Sequence, residues 1–165
     1  MRCAGNEQRF AAFLCQAADI DRMETALAGL YQRHPVLRRY FSCSGNIGVQ
    51  FEKQTIVPAI DRHDIGKLDA QARECELERI ETSLISRIDP ESPPLLRVAV
   101  AISHDERPVL LIAAHMLIVD GYAIKLFVSD LFKAYLKSDM PGMDPDLRYD
   151  EYTHLLRCPE EWTDP

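Results

Sequence analysis

Val109-Leu110-Leu111-Ile112-Ala113-Ala114-His115-Met116-Leu117-Ile118-Val119-Asp120-Gly121 is the stretch whose reading decides the fold. It contains the longest apolar run of the chain, Val109 to Val119, broken only by His115. A membrane-crossing helix needs about 20 apolar residues, so the run reads instead as a buried strand, Val109 to Ala114, followed by a loop. Asp120-Gly121 closes the run. A helix is expected from Tyr122 to Lys137, with Ile124, Phe127, Val128, Leu131 and Tyr135 on its buried stripe. Immediately upstream, Leu95 to Ile102 reads as a second strong strand. The polar turn between them, Ser103 to Pro108, is short enough for an antiparallel hairpin.

Further outward, Leu68 to Arg87 predicts a helix with Leu77, Ile80, Leu84 and Ile88 on one face and charges on the other. Asp89-Pro90-Glu91-Ser92-Pro93-Pro94 stops it. Arg9 to Gln16 reads as a strand. Asp21 is the expected N-cap of a helix carrying Met23, Leu27, Leu30 and Tyr31, with Glu24 closing a capping box. That helix should end near His34, because Pro35 disfavours a helical residue before it. Val36–Phe41, Gly48–Phe51 and Gln54–Val57 read as extended pieces, with a turn at Ser44-Gly45-Asn46. The tail after Ser138 holds several prolines and is expected to be irregular, with one short helix at Tyr149–Leu156. The economical architecture is α+β: a two-layer sandwich, a mainly antiparallel sheet with helices packed on one face. One domain fills residues 1–165, with its core in 9–137 and the irregular tail in 138–165.

Composition narrows the function classes. The 165 residues carry 19 Lys+Arg against 26 Asp+Glu, a net charge of −7. That balance lacks the basic footprint of a nucleic-acid binder. The first seven residues have no secretory apolar stretch, and no membrane association is expected. Five scattered cysteines (Cys3, Cys15, Cys43, Cys75, Cys158) without a C-x-x-C argue against a zinc knuckle or a disulfide framework and fit a reducing cytoplasm. Cys15 and Cys75 read as inert members of apolar faces. No metal-binding or phosphate-loop motif occurs, so no metal site and no bound cofactor are expected.

Ala113-Ala114-His115-Met116-Leu117-Ile118-Val119-Asp120-Gly121 resembles the H-H-x-x-x-D-G signature of the condensation domains of nonribosomal peptide synthetases, in the chloramphenicol-acetyltransferase-like superfamily. Three more segments add to the likeness. Arg33-His34-Pro35-Val36-Leu37-Arg38-Arg39-Tyr40-Phe41 is similar to the family's R-H-x-x-L-R-x-x-F. Ile88-Asp89-Pro90 with Pro94-Leu95-Leu96-Arg97 resembles its F-D-x…G-P-L-L-R. Tyr149-Asp150-Glu151-Tyr152 is similar to its aromatic-x-D-Y element. The resemblance implies a chloramphenicol-acetyltransferase-like half-domain, the N-terminal lobe alone, because the second lobe of the family is missing.

Aligned on Asp120-Gly121, the signature's first His is His115 and its second, the residue the family makes catalytic, is Met116. A thioether cannot serve as a base. The resemblance makes Asp120 and Gly121 structural. His115 has two readings: a structural ring at a strand end, bonded to backbone, or a displaced general base. Met116 reads as gap-filling or as lining for an acyl or pantetheine channel. Asp120 has two readings: a cap or ion-pair partner, which is favoured, or a general acid or base.

The favoured expectation is a non-catalytic domain associated with nonribosomal peptide or related acyl-thioester biosynthesis. It would bind a carrier protein, another synthetase domain or a second copy of itself, with a phosphopantetheine-linked substrate reaching it on the carrier. The alternative is an acyltransferase forming amide or ester bonds after pairing with a second lobe or copy, with His115 or a partner residue as base. A third reading is an unrelated α+β domain that reaches the motif by chance. A fold without a helix starting at Gly121 directly after the histidine-bearing strand would favour it.

Overall fold

The computed structural model describes residues 7–13, 19–44, 47–103 and 107–136. In chain order these form β1 (Glu7–Phe13), α1 (Ile20–Arg33), a 3-10 turn (Pro35–Arg38), β2 (Arg39–Ser44), β3 (Ile47–Glu52), β4 (Ile60–Asp64), α2 (Ala70–Ser86), β5 (Leu96–Ile102), β6 (Val109–His115) and α3 (Gly121–Leu136). The C-terminal part of the first expected strand (14–16), the turn residues 45–46 and the tail with its expected helix at 149–156 lie outside the described residues.

The expected hairpin forms: β5 and β6 pair antiparallel, Val98 opposite Ile112 and Val100 opposite Leu110. They are the inner strands of a four-stranded sheet ordered β1-β6-β5-β4, while β2 and β3 make a separate two-stranded ribbon. Among the described residues every ladder is antiparallel except β4 with β5. The α+β class and the mainly antiparallel sheet therefore hold.

One detail of the expected layering is corrected. Helices cover the sheet on both faces, not one. Val98, Val100, Leu110 and Ile112 share a cluster with Leu27, Leu30 and Tyr31 of α1 and with Ile124 and Leu131 of α3. The alternate residues Ala99, Ala101, Leu111 and Ala113 pack with Ile80 and Leu84 of α2. The reason is in β6 itself, where all seven residues are buried. A strand with one wet face alternates in polarity, whereas a strand covered twice reads as a continuous apolar run.

β4 is an element that periodicity does not reveal. Ile60-Asp61-Arg62-His63-Asp64 is polar because it is the edge strand, where charge discourages further pairing. Its parallel partner β5 is reached through α2, the crossover that parallel pairing requires. Tertiary bonds hold it. The Arg62 guanidinium pairs with Asp21 at 2.5 Å and Glu24 at 3.0 Å, and the Ile60 N–H donates to Glu24 Oε1 at 3.2 Å. Glu24 and Asp21 are thus engaged with β4, and the α1 cap shifts from Asp21 to Asp19, whose Oδ1 accepts from the Arg22 N–H at 3.0 Å. Val36–Arg38 is a 3-10 turn, not extended, and Gln54–Val57 joins no strand. Cys75 is exposed on α2, not part of an apolar face.

α1 ends at its expected place, with His34 as C-cap. Burial, reinforced by the Arg33 charge, lowers the His34 pKa from its ordinary 6.5, while Asp130 opposes the shift. The folded chain therefore binds fewer protons at this site than the unfolded chain. The contribution of His34 to stability is complete above pH 6.5 and declines as pH falls toward the lower folded value. Wild type should lose more stability than His34→Gln between about pH 7.5 and about pH 5.5, measured as urea midpoints. Equal losses would rule out this linkage.

Candidate functional site

β6 delivers His115 to the end of the sheet and α3 begins six residues later. The backbone between them is a tight turn built around the histidine. The His115 N–H donates to the Leu95 carbonyl at 2.9 Å, and its own carbonyl accepts from the Ile118 N–H at 3.0 Å. The ring joins in: Nδ1 accepts from the Leu117 N–H at 3.1 Å. A neutral imidazole has one acceptor nitrogen, so this bond places the ring proton on Nε2. The residue is 1% exposed.

The turn divides its side chains. Ile118 and Val119 are buried in the core that α1 and α3 share, whereas Met116 and Leu117 face outward, Met116 being 48% exposed. Asp120 then starts the helix. Its Oδ1 accepts from the N–H groups of Tyr122 (3.0 Å) and Ala123 (2.7 Å), and its carbonyl takes the Ile124 N–H at 3.0 Å. These bonds satisfy donors that the first turn leaves open. Asp120 is a helix cap in this geometry, and Gly121 is the first helical residue.

Three of the four resemblance segments meet beside this turn. Arg38 clamps the end of α1 to β3: its guanidinium donates to the Gln32 carbonyl (2.9 Å) and the Lys53 carbonyl (3.1 Å) and pairs with Glu52 at 2.6 Å. The Phe41 N–H reaches the Pro90 carbonyl at 2.7 Å. The buried Tyr31 hydroxyl donates to the Leu96 carbonyl at 2.8 Å, and burial pushes that phenol far above its ordinary pKa. Leu95, next in line, is the residue that accepts from the His115 N–H. The shared motif residues thus act as joints between elements. The fourth segment, Tyr149–Tyr152, lies outside the described residues.

Among the described residues no group of three or more His, Cys, Asp or Glu is placed to hold a metal ion, and no helix is long and apolar enough to cross a membrane.

The sequence model of the condensation domain matches residues 7–157. The chain belongs to the condensation-domain family. Among relatives, it is 28% identical over 153 residues to surfactin synthase subunit 2 of Bacillus subtilis, covering 88% of this chain and 4% of that protein. It is 29% identical over 140 residues to the chondramide synthase of Chondromyces crocatus, covering 82% of this chain and again 4% of the relative. The chain therefore spans only a small fraction of these synthases. In three dimensions it is similar to the SgcC5 protein from Streptomyces globisporus, with a TM-score of 0.78 at 21% identity, covering 92% of this chain and 35% of that one. The EpoB cyclization-docking bidomain from Sorangium cellulosum gives 0.71 at 22% identity, covering 91% and 29%. At such identities the likeness is one of fold. A condensation-type fold, with a helix beginning at Gly121 directly after the histidine-bearing strand, removes the reading of a chance motif.

Proposed function

We propose that this condensation-family chain is the N-terminal lobe of a condensation-type domain, with its core in residues 9–137, and that it binds rather than reacts. Its setting is nonribosomal peptide or related acyl-thioester biosynthesis in the cytoplasm. Its partner is a carrier protein bearing a phosphopantetheine-linked acyl group, or a neighbouring synthetase domain. The reading is supported by relatives named as peptide synthases and is carried by one observation at the signature. His115 is buried and spends its single acceptor nitrogen on the Leu117 N–H. The outward-facing position beside it, where the family places its catalytic imidazole, is Met116. A general base needs an accessible lone pair of suitable pKa. His115 does not offer one, and the Met116 thioether is only a weak acceptor. Asp120 is occupied by the helix N-terminus.

The test assays wild type, Met116→His, His115→Ala and His115→Asn with acyl-pantetheinyl carrier protein and an amine acceptor, and titrates carrier protein against each. Saturable carrier binding by wild type, with product at the uncatalysed background, is expected. His115→Ala should leave that background unchanged, and Met116→His should be the variant in which turnover rises. Wild-type turnover lost in His115→Ala and also in His115→Asn, with both variants folded by circular dichroism, would instead support the acyltransferase alternative, with His115 as base. Absence of carrier binding would overturn the binding role.

A further inference from the structure

The outer side of α3 carries an apolar ridge where a solvated helix face is expected. The buried residues Ile124, Phe127, Val128, Leu131 and Ala134 face the sheet and α1. At about 100° per residue, Tyr122, Leu126, Ser129, Lys133 and Leu136 fall within about 40° of a single line, diametrically opposite that stripe. Tyr122 and Leu136 are each 71% exposed and Leu126 is 48% exposed. The spacing of the ridge, four-three-four-three, is that of a coiled-coil seam: Leu126 and Lys133 occupy a positions and Tyr122, Ser129 and Leu136 occupy d positions. Met116 and Leu117 add exposed apolar surface just before its N-terminal end.

We propose that this ridge is a self-association surface, on which α3 of a second copy lies parallel to α3 of the first. The charges beside the seam choose both occupant and direction. Lys125 falls at a g position and Asp130 at an e position, five residues later. In a parallel pair a g residue meets the e residue five places on in the partner. Lys125 of each copy then faces Asp130 of the other, twice by symmetry. An antiparallel pair would bring equivalent flanks together, lysine against lysine and aspartate against aspartate. Lys133 at an a position meets Lys133 of the other copy in the parallel pair, a polar seam contact of the kind that fixes register at a cost in stability. Its ammonium, bonded to Asp130 of its own helix at 3.0 Å, is partly neutralised.

The seam is about 21 Å long, so the contact belongs to the small, weak class of interfaces. A dissociation constant on the order of 10 μM or weaker is expected. The net charge of −7 opposes approach of two copies, but at physiological salt this repulsion is screened beyond about 8 Å. The inference rests on the helix surface alone and stands whether or not a carrier protein binds.

Sedimentation equilibrium of the full chain, from about 1 to about 200 μM at physiological salt, tests it. Wild type should show a reversible monomer–dimer equilibrium, and Leu126→Glu should be monomeric throughout. Lys133→Leu should dimerise at least about tenfold more tightly, because it completes the apolar seam. In the Lys133→Leu background, where Asp130 has no seam lysine to neutralise, Lys125→Asp should weaken the dimer, and Lys125→Asp combined with Asp130→Lys should recover it. Circular dichroism confirms that each variant is folded; these positions are outside the core, so all should be. A wild type and a Lys133→Leu variant that both remain monomeric would overturn the proposal, as would a dimer indifferent to Leu126→Glu.

Discussion

Leu131→Ala is expected to lower the unfolding free energy by about 3 kcal/mol, within the range of about 2–5 found for buried leucines. Leu131 is 0% exposed and lies in the cluster where α1 and α3 meet over the sheet. Removing its side chain costs the transfer free energy of the lost atoms and leaves a cavity that neighbours on α1, α3 and the sheet can only partly fill. A domain of this size commonly holds about 5–15 kcal/mol in total, so the loss is a large share. Urea denaturation should show a lower midpoint with an unchanged slope, and the melting temperature should fall by about 6–12 °C. Leu136→Ala is the control on the same helix. That side chain is 71% exposed, and its truncation should change stability by less than about 0.5 kcal/mol. Similar losses at both positions would contradict the orientation of α3.

That orientation was legible in the sequence. Of the stripe expected from helical spacing, Ile124, Phe127, Val128 and Leu131 are buried, whereas Tyr135 is only half-buried and Ala134 beside it takes the buried place. The same signal places α1, α2, β5 and β6, because in each the apolar pattern is strong and local. It fails where tertiary partners decide. Asp19 and Asp21 are equally good caps by type. Asp19 prevails because its own N–H reaches the Tyr135 hydroxyl on α3 at 2.9 Å, while Asp21 is taken by Arg62. β4 has one buried residue, Ile60, in five, so there is no alternation to find. It exists because β5 offers it an edge. The second covered face of the sheet could have been inferred from the uninterrupted run through β6, since a one-sided strand has no reason to be apolar at every position. At the site, the motif alignment identifies His115, Met116, Asp120 and Gly121. It does not show that the His115 ring faces a backbone amide two residues ahead, because that bond depends on the turn geometry.

The turn geometry makes His115 the residue on which the loop depends. His115→Ala is expected to cost about 3 kcal/mol, combining a cavity at a buried site with loss of the acceptor for the Leu117 N–H. The two contributions can be separated. In His115→Asn the side-chain oxygen stands near the place of Nδ1 and can accept the same amide, so this variant should recover about 1 kcal/mol of the loss while leaving part of the cavity. Hydrogen exchange gives the local readout. The Leu117 amide should exchange faster in His115→Ala and stay protected in His115→Asn. The Ile124 amide, bonded to the Asp120 carbonyl, should keep its protection in both, provided the helix start is held independently by its own cap. Equal exchange at Leu117 in wild type and His115→Ala would mean that the ring does not hold the turn. The acceptor nitrogen would then not be spent on the turn, and the case for a binding rather than a reacting domain would rest on the burial of His115 and on Met116 alone.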